Sequence, residues 1–268
     1  MHHAAIYRTT RDSPNNFASA LRPMTWSIIA KDTSGAFGIA IASRFFAVGA
    51  LCPYGRSGIG AVATQALVNP LYGQRGLDAL ARGETPTAIV EALIAGDAGR
   101  DHRQLHLIDA AGRVAAHTGA ACIGWCGHRS PGASEGSGGW SVAGNMLAGP
   151  EVLERTVDAF EASAALPFAD RLISALQAGE DAGGDQRGKQ GAALLIYTTE
   201  DYAALDLRVD DHPEPLAELH RLLEKSRERF QPFVSCLPRR GNPAGITDRA
   251  EIEAVVARFQ AARQSGTS

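Results

Sequence analysis

Thr25 directly follows Met24, an order that can place a hydroxyl nucleophile on the same residue as a free α-amine. A threonine hydroxyl is a poor nucleophile alone and needs a base within hydrogen-bonding reach. If the mature chain starts at Thr25, its α-amino group has a pKa of about 7.7–8.0 and is substantially neutral near physiological pH. One residue then supplies both nucleophile and base. Ser27 shares a strand face with Thr25, and Ser43 is a candidate neighbour across a hairpin. The plain alternative is that Thr25 is an ordinary β-branched strand residue.

Two other segments could bind or polarise a substrate. Gly183-Gly184-Asp185-Gln186-Arg187-Gly188 runs towards an apolar strand. Its glycines let backbone N–H groups approach an anion, Arg187 can grip a carboxylate, and Asp185 can accept from an ammonium. The GxxxxGK[ST] order of a phosphate loop is absent, and a tight turn with solvated charges explains the segment equally well. Gly144-Asn145, at a strand end, can present a backbone N–H and a side-chain amide, the parts of an oxyanion hole. A turn before a helix is the plainer account.

A metal reading rests on Cys122 and Cys126 with His117 and His128 nearby. One CxxxC without a second pair falls short of the usual closed zinc spacing. Asp210-Asp211-His212 precedes Pro213 and reads as a helix-entry segment. No Ser–His–Asp order is defensible. No metal site is assigned.

These residues must be positioned by regular elements. Thr25–Ala30 and Phe37–Ser43 read as a hairpin about the Asp32-Thr33-Ser34-Gly35 turn, which sets Thr25 opposite Ala42 or Ser43. In the second strand Phe37, Ile39 and Ile41 face one side while Gly38, Ala40 and Ala42 face the other. Val48–Ser57 reads as a loop, Ile59–Gln65 as a strand, and Gly73–Arg82 and Pro86–Ala95 as helices. Gln104–Asp109 and Arg113–His117 form a second hairpin, and Ser130–Gly139 a Gly/Ser-rich loop. Ser141–Leu147 is a strand, followed by helices at Glu151–Ala164 and Pro167–Ala178. Strands at Ala192–Thr198 and Leu205–Val209 precede a charged amphipathic helix, Pro213–Arg229. Paired strands separated by paired helices exclude a simple doubly wound sheet and point to an α+β fold with antiparallel sheets covered by helices.

The chain has 268 residues, 45% hydrophobic and 21% charged, with 26 basic and 29 acidic side chains and a net charge of −3. That is enough for one sizeable core and removes the electrostatic footprint of a nucleic-acid binder. The longest charge-free stretch, between Arg56 and Arg75, holds too many polar residues to span a membrane. Four cysteines in a chain this long fit reduced, cytoplasmic thiols. Residues 1–23 read as an extension or propeptide, 24–230 as the principal domain, and 231–268 as a tail with a short helix near Asp248–Ala262.

Several blocks together resemble the bacterial family named domain of unknown function 1028. They are Met24–Ala30, Ser43–Gly49, Gly60–Gln65, His117–Gly119, Gly144–Gly149, Gly183–Gly188 and Leu207–His212. That family is grouped with the N-terminal-nucleophile (Ntn) hydrolases, so the resemblance implies a four-layer αββα sandwich and hydrolysis of an amide. It implies Thr25 as nucleophile, with Asn145 inferred as oxyanion donor. Asp185 and Arg187 would orient substrate, and Ser43, Arg44, Thr64, Gln65 and His117 belong to matched blocks near the same pocket. The expected substrate is a small amide or peptide-like molecule, with no metal or organic cofactor, no nucleic acid and no membrane partner. Apolar helix residues leave a homodimer open.

Residues 1–23 separate three explanations: a translation start placed too early, a propeptide removed by self-cleavage, or a chain that does not catalyse. The alternative to an amidohydrolase is therefore a metabolite-binding protein on the same fold. A metal-dependent hydrolase using Cys122, Cys126 and His128 is a third reading.

Overall fold

The computed structural model describes residues 25–131, 139–184 and 188–265. The 1–23 extension, the centre of the Gly/Ser-rich loop, and Asp185 and Arg187 lie outside the described residues. The strands within them are β1 (Thr25–Lys31), β2 (Phe37–Ser43), β3 (Pro53–Arg56), β4 (Gly60–Ala66) and β5 (Arg103–Asp109). They continue as β6 (Val114–Thr118), β7 (Trp125–Arg129), β8 (Trp140–Leu147), β9 (Gly191–Tyr197) and β10 (Leu205–Val209). The helices are α1 (Val48–Leu51), α2 (Leu71–Ala81), α3 (Pro86–Ala95), α4 (Glu151–Ala162), α5 (Phe168–Asp181), α6 (Pro215–Glu228), α7 (Phe230–Val234) and α8 (Arg249–Gln264).

The strands form a six-stranded sheet in the order β10-β9-β2-β1-β8-β7 and a four-stranded sheet in the order β3-β4-β5-β6. Every pairing is antiparallel. The β1–β2 register sets Thr25 opposite Ser43, one of the two expected alternatives.

Alternation along the strands builds the core. Trp26, Ile28 and Ala30 of β1 pack with Ala40, Ala42 and Val142 against α4, α5 and α6. Ile29, Phe37 and Ile39 instead meet Ala61, Ala63 and Ile108 of the smaller sheet. On that sheet's other face, Val62, Leu105 and Leu107 pack on Leu77, Leu80, Ile89 and Val90 of α2 and α3. Each fully buried aliphatic or aromatic side chain contributes roughly 1.5–3 kcal/mol relative to exposure. The small side of β2 lets α5 approach: a Cβ on Gly38 would sit 2.8 Å from Phe168 Cε1 and closer still to Leu172 Cδ1. Thr85 caps α3 by accepting from Ala88 N at 3.4 Å, and Asp248 caps α8 by accepting from Glu251 N at 2.9 Å.

Val48–Ser57 is not the loop expected of it. It contains α1 and β3, whose Pro53-Tyr54-Gly55-Arg56 pairs with β4. β7 and α7 were also unforeseen; both are only five residues long. No described helix is long and apolar enough to cross a membrane.

Candidate active site

Thr25 begins a central strand, between Ser43 of β2 and Asn145 of β8 in the register of both neighbours. Its face, shared with Ser27 and Ile29, is turned to the smaller sheet. The Thr25 side chain is buried, and its Oγ1 lies 3.1 Å from Ser43 Oγ.

The polar groups opposite are fixed by Gln104 of β5. Its Nε2 lies 2.9 Å from the Gly144 carbonyl oxygen, 3.0 Å from that of Gly127 and 2.9 Å from Thr118 Oγ1, three acceptors that share its two hydrogens. Backbone carbonyls only accept, so the amide end must face them and Oε1 must face the other way. Gln104 Oε1 accepts from Gln65 Nε2 at 2.8 Å and from Asn145 Nδ2 at 3.1 Å. Both donors also reach the Thr25 carbonyl oxygen, each at 3.4 Å. Ser27 Oγ lies 2.6 Å from Gln65 Oε1 and 2.9 Å from His106 Nε2, while His106 Nδ1 lies 3.0 Å from Ser141 Oγ. Burial, helped by the nearby His128, holds the His106 ring far below the ordinary histidine value, at about 3.

Thr25, Ser43, Gln65 and Asn145 thus come together. Thr64, His117 and Arg44 do not join them. Thr64 stands on the opposite face of β4, where Oγ1 accepts from Asn69 N at 3.3 Å. His117 pairs with Leu105 on the helix-covered side, and its Nε2 lies 3.0 Å from the Arg100 carbonyl. Arg44 is exposed just past the end of β2. Asn145 was expected to donate to an oxyanion, but both of its amide hydrogens have acceptors in this arrangement. Gln104 and His106 were not foreseen.

Among the described residues, three non-glycine residues have left-handed backbone, Ala47 (φ 52°), Ala66 (φ 66°) and Met146 (φ 54°). Ala66 directly follows Gln65, and Met146 directly follows Asn145. Conformations of this kind cost of order 1–3 kcal/mol and cluster at functional sites. Asp97 fastens this end of the sheets: it accepts from Tyr72 Oη at 2.8 Å, Asn69 Nδ2 at 3.0 Å, Gly99 N at 2.7 Å and Arg103 Nε at 3.1 Å. Those bonds, from the Tyr72 hydroxyl above all, hold its carboxyl well below the usual range. Phe46, Leu51, Leu67, Leu71 and Ile123 are exposed on or beside connections at the same end.

The residues weighed as zinc ligands do not converge. Cys122 Sγ points to the Arg103 carbonyl, and burial pushes its thiol up to about 11. His128 Nδ1 lies 3.2 Å from Thr118 Oγ1. Among the described residues, Asp170, His220 and Glu224 alone bring three such ligand atoms together, and Arg227 and Arg263 already pair with these carboxylates. At the 210–212 segment, His212 Nδ1 accepts from Glu214 N at 3.0 Å, a helix-entry bond. A cavity of about 730 Å³ between α5, β10 and α8 shares no residue with the Thr25 network.

The model of the family described as "Family of unknown function (DUF1028)" matches residues 25–219. The chain belongs to this family. A DUF1028 protein from Silicibacter pomeroyi has a crystal structure similar to this one, with a TM-score of 0.74 and 31% sequence identity. That similarity covers 84% of this chain and 100% of the other. No curated protein matches. The DUF1028 match takes in every residue of the Thr25 network and ends within α6, so α7 and α8 lie beyond it.

Proposed function

We propose that the chain is an amidohydrolase of the N-terminal-nucleophile type, with Thr25 as nucleophile and a small amide or peptide-like molecule as substrate. The observation that carries this reading is the place of Thr25: first residue of a central strand, first residue of the family match, its hydroxyl 3.1 Å from Ser43 Oγ. The stacking of helices, sheet, sheet and helices supports the four-layer αββα reading. Left-handed backbone beside Gln65 and Asn145 supports a functional end of the sheets at Thr25.

Once its nitrogen is free, the neutral amine of Thr25 takes the hydroxyl proton as Oγ1 adds to the substrate carbonyl. The ammonium then protonates the leaving amine, and an ester forms on Thr25. Water, deprotonated by the same amine, cleaves that ester and restores the hydroxyl. Ser43 orients Oγ1. The 3.4 Å bond from Asn145 to the Thr25 carbonyl is the longer of its two and would yield first to a developing oxyanion. The four free thiols fit a reducing, cytoplasmic setting. The metabolite-binding reading is favoured by one fact: in the 268-residue chain the Thr25 nitrogen is bonded to Met24.

The test is labelling by a β-lactone of a chain whose first residue is Thr25. Opening of the strained ring by Oγ1 forms an ester on Thr25 and frees the ring oxygen as a hydroxyl. Intact mass should rise by one lactone, mapped to Thr25, with none added to Thr25→Ala. Equal labelling of Thr25→Ala, or none in the parent chain, would overturn the proposal.

A further inference from the structure

The direction of every hydrogen bond between Ser141 and Thr25 follows from the two backbone carbonyls that Gln104 meets. Because Gln104 Oε1 faces Gln65, Gln65 must present its Nε2 there and its Oε1 to Ser27. An amide oxygen only accepts, so the Ser27 hydroxyl spends its one hydrogen on Gln65. Ser27 Oγ can then only accept from His106, which places the ring hydrogen on Nε2. In the neutral ring Nδ1 is bare, and it accepts from the Ser141 hydroxyl. The chain therefore runs one way: Ser141 to His106 to Ser27 to Gln65 to the Thr25 carbonyl.

Two features set this apart from a satisfied core histidine with no further consequence. The bonds all point the same way, so each polarises the next. Their end is the backbone of Thr25 itself, reached from Gln65, whose next residue, Ala66, has a left-handed backbone that the packing must hold in place. With its hydrogen aimed at Ser27, His106 cannot act there as a general base.

We propose that His106 is a positioning residue, locked as the neutral Nε2–H tautomer, that fixes Gln65 and through it the backbone of Thr25. This rests on the reading of Thr25 as nucleophile, but the direction of the chain can be measured without it. NMR of the ring nitrogens in the unmutated protein at about pH 7 should show hydrogen on Nε2 and none on Nδ1 of His106. An Nδ1–H tautomer or a doubly protonated ring would overturn the proposal.

The functional half uses the chain that starts at Thr25 and the rate of β-lactone acylation. His106→Leu removes the donor and should slow acylation on the order of 10- to 100-fold. His106→Gln returns an N–H towards Ser27 and should recover most of that rate. Both variants would lose stability if the histidine were merely structural, so the rate and its rescue are the decisive readouts. Acylation at the parent rate in both variants would overturn the positioning role. If the parent chain is not acylated at all, the reading of Thr25 fails, while the tautomer still decides the direction of the bonds.

Discussion

Gln65 Nε2 lies 2.8 Å from Gln104 Oε1, across directly paired positions of β4 and β5, and that bond orients the amides that reach Thr25. Gln104 is held from behind by two backbone carbonyls, so it is the rigid member of the pair.

Replacing Gln104 should therefore cost more than replacing any other member. Gln104→Leu leaves the Gly127 and Gly144 carbonyls without their side-chain donor and removes the acceptor for Gln65 and Asn145. Unmet buried groups cost about 1–3 kcal/mol each, so with four partners affected a loss of at least about 4 kcal/mol is expected in denaturant unfolding. Gln104→Glu should be worse, because carboxylate oxygens would face carbonyl oxygens.

Much of this end of the molecule was legible in the sequence, and the missing part has a physical cause. The β1–β2 register followed from the position of the turn, which set Thr25 opposite Ala42 or Ser43, and the fold takes the second. Gln104-Leu105-His106-Leu107 has the alternation of a strand with one wet face. Here both faces are buried, leucines towards α2 and α3, Gln104 and His106 towards the larger sheet. The usable clue was charge: the polar residues of that inner face, Ser27, Gln65, Gln104, His106, Ser141 and Asn145, include no formally charged side chain. β3 escaped notice because four residues with a proline and a glycine carry too little periodicity. Thr64 was grouped with Gln65 although adjacent strand residues must face opposite ways.

Acid should weaken the fold through His106. Its folded value of about 3 lies below the ordinary 6.5, so the unfolded chain binds the extra proton between those values. Stability is complete above about pH 6.5 and falls towards pH 3, by at most ~1.4 kcal/mol per pH unit for this one group. Unfolding measured across that range should show the slope, and His106→Gln should flatten it.

Asp97 predicts a second, more acidic loss. Its depressed carboxyl contributes stability above the unfolded value of about 3.9, and this is lost as pH falls through the lower folded value. Asp97→Asn should cost about 1–3 kcal/mol at neutral pH. Hydrogen exchange should quicken in residues 67–70 and 96–102, which Asp97 joins.

At the nucleophile, Thr25→Ser keeps a hydroxyl and should retain β-lactone labelling at a reduced rate. Thr25→Ala should lose it entirely, with stability lower by only about 1 kcal/mol for the missing Ser43 bond. Folding and labelling measured on the same samples separate the two effects.

The central claim is that Thr25 carries both nucleophile and base, which requires a free amine. The most direct measurement is the intact mass and amino-terminal sequence of the protein purified from its native host. The account predicts a chain beginning at Thr25. A mature chain that retains Met24 bonded to Thr25 would contradict it.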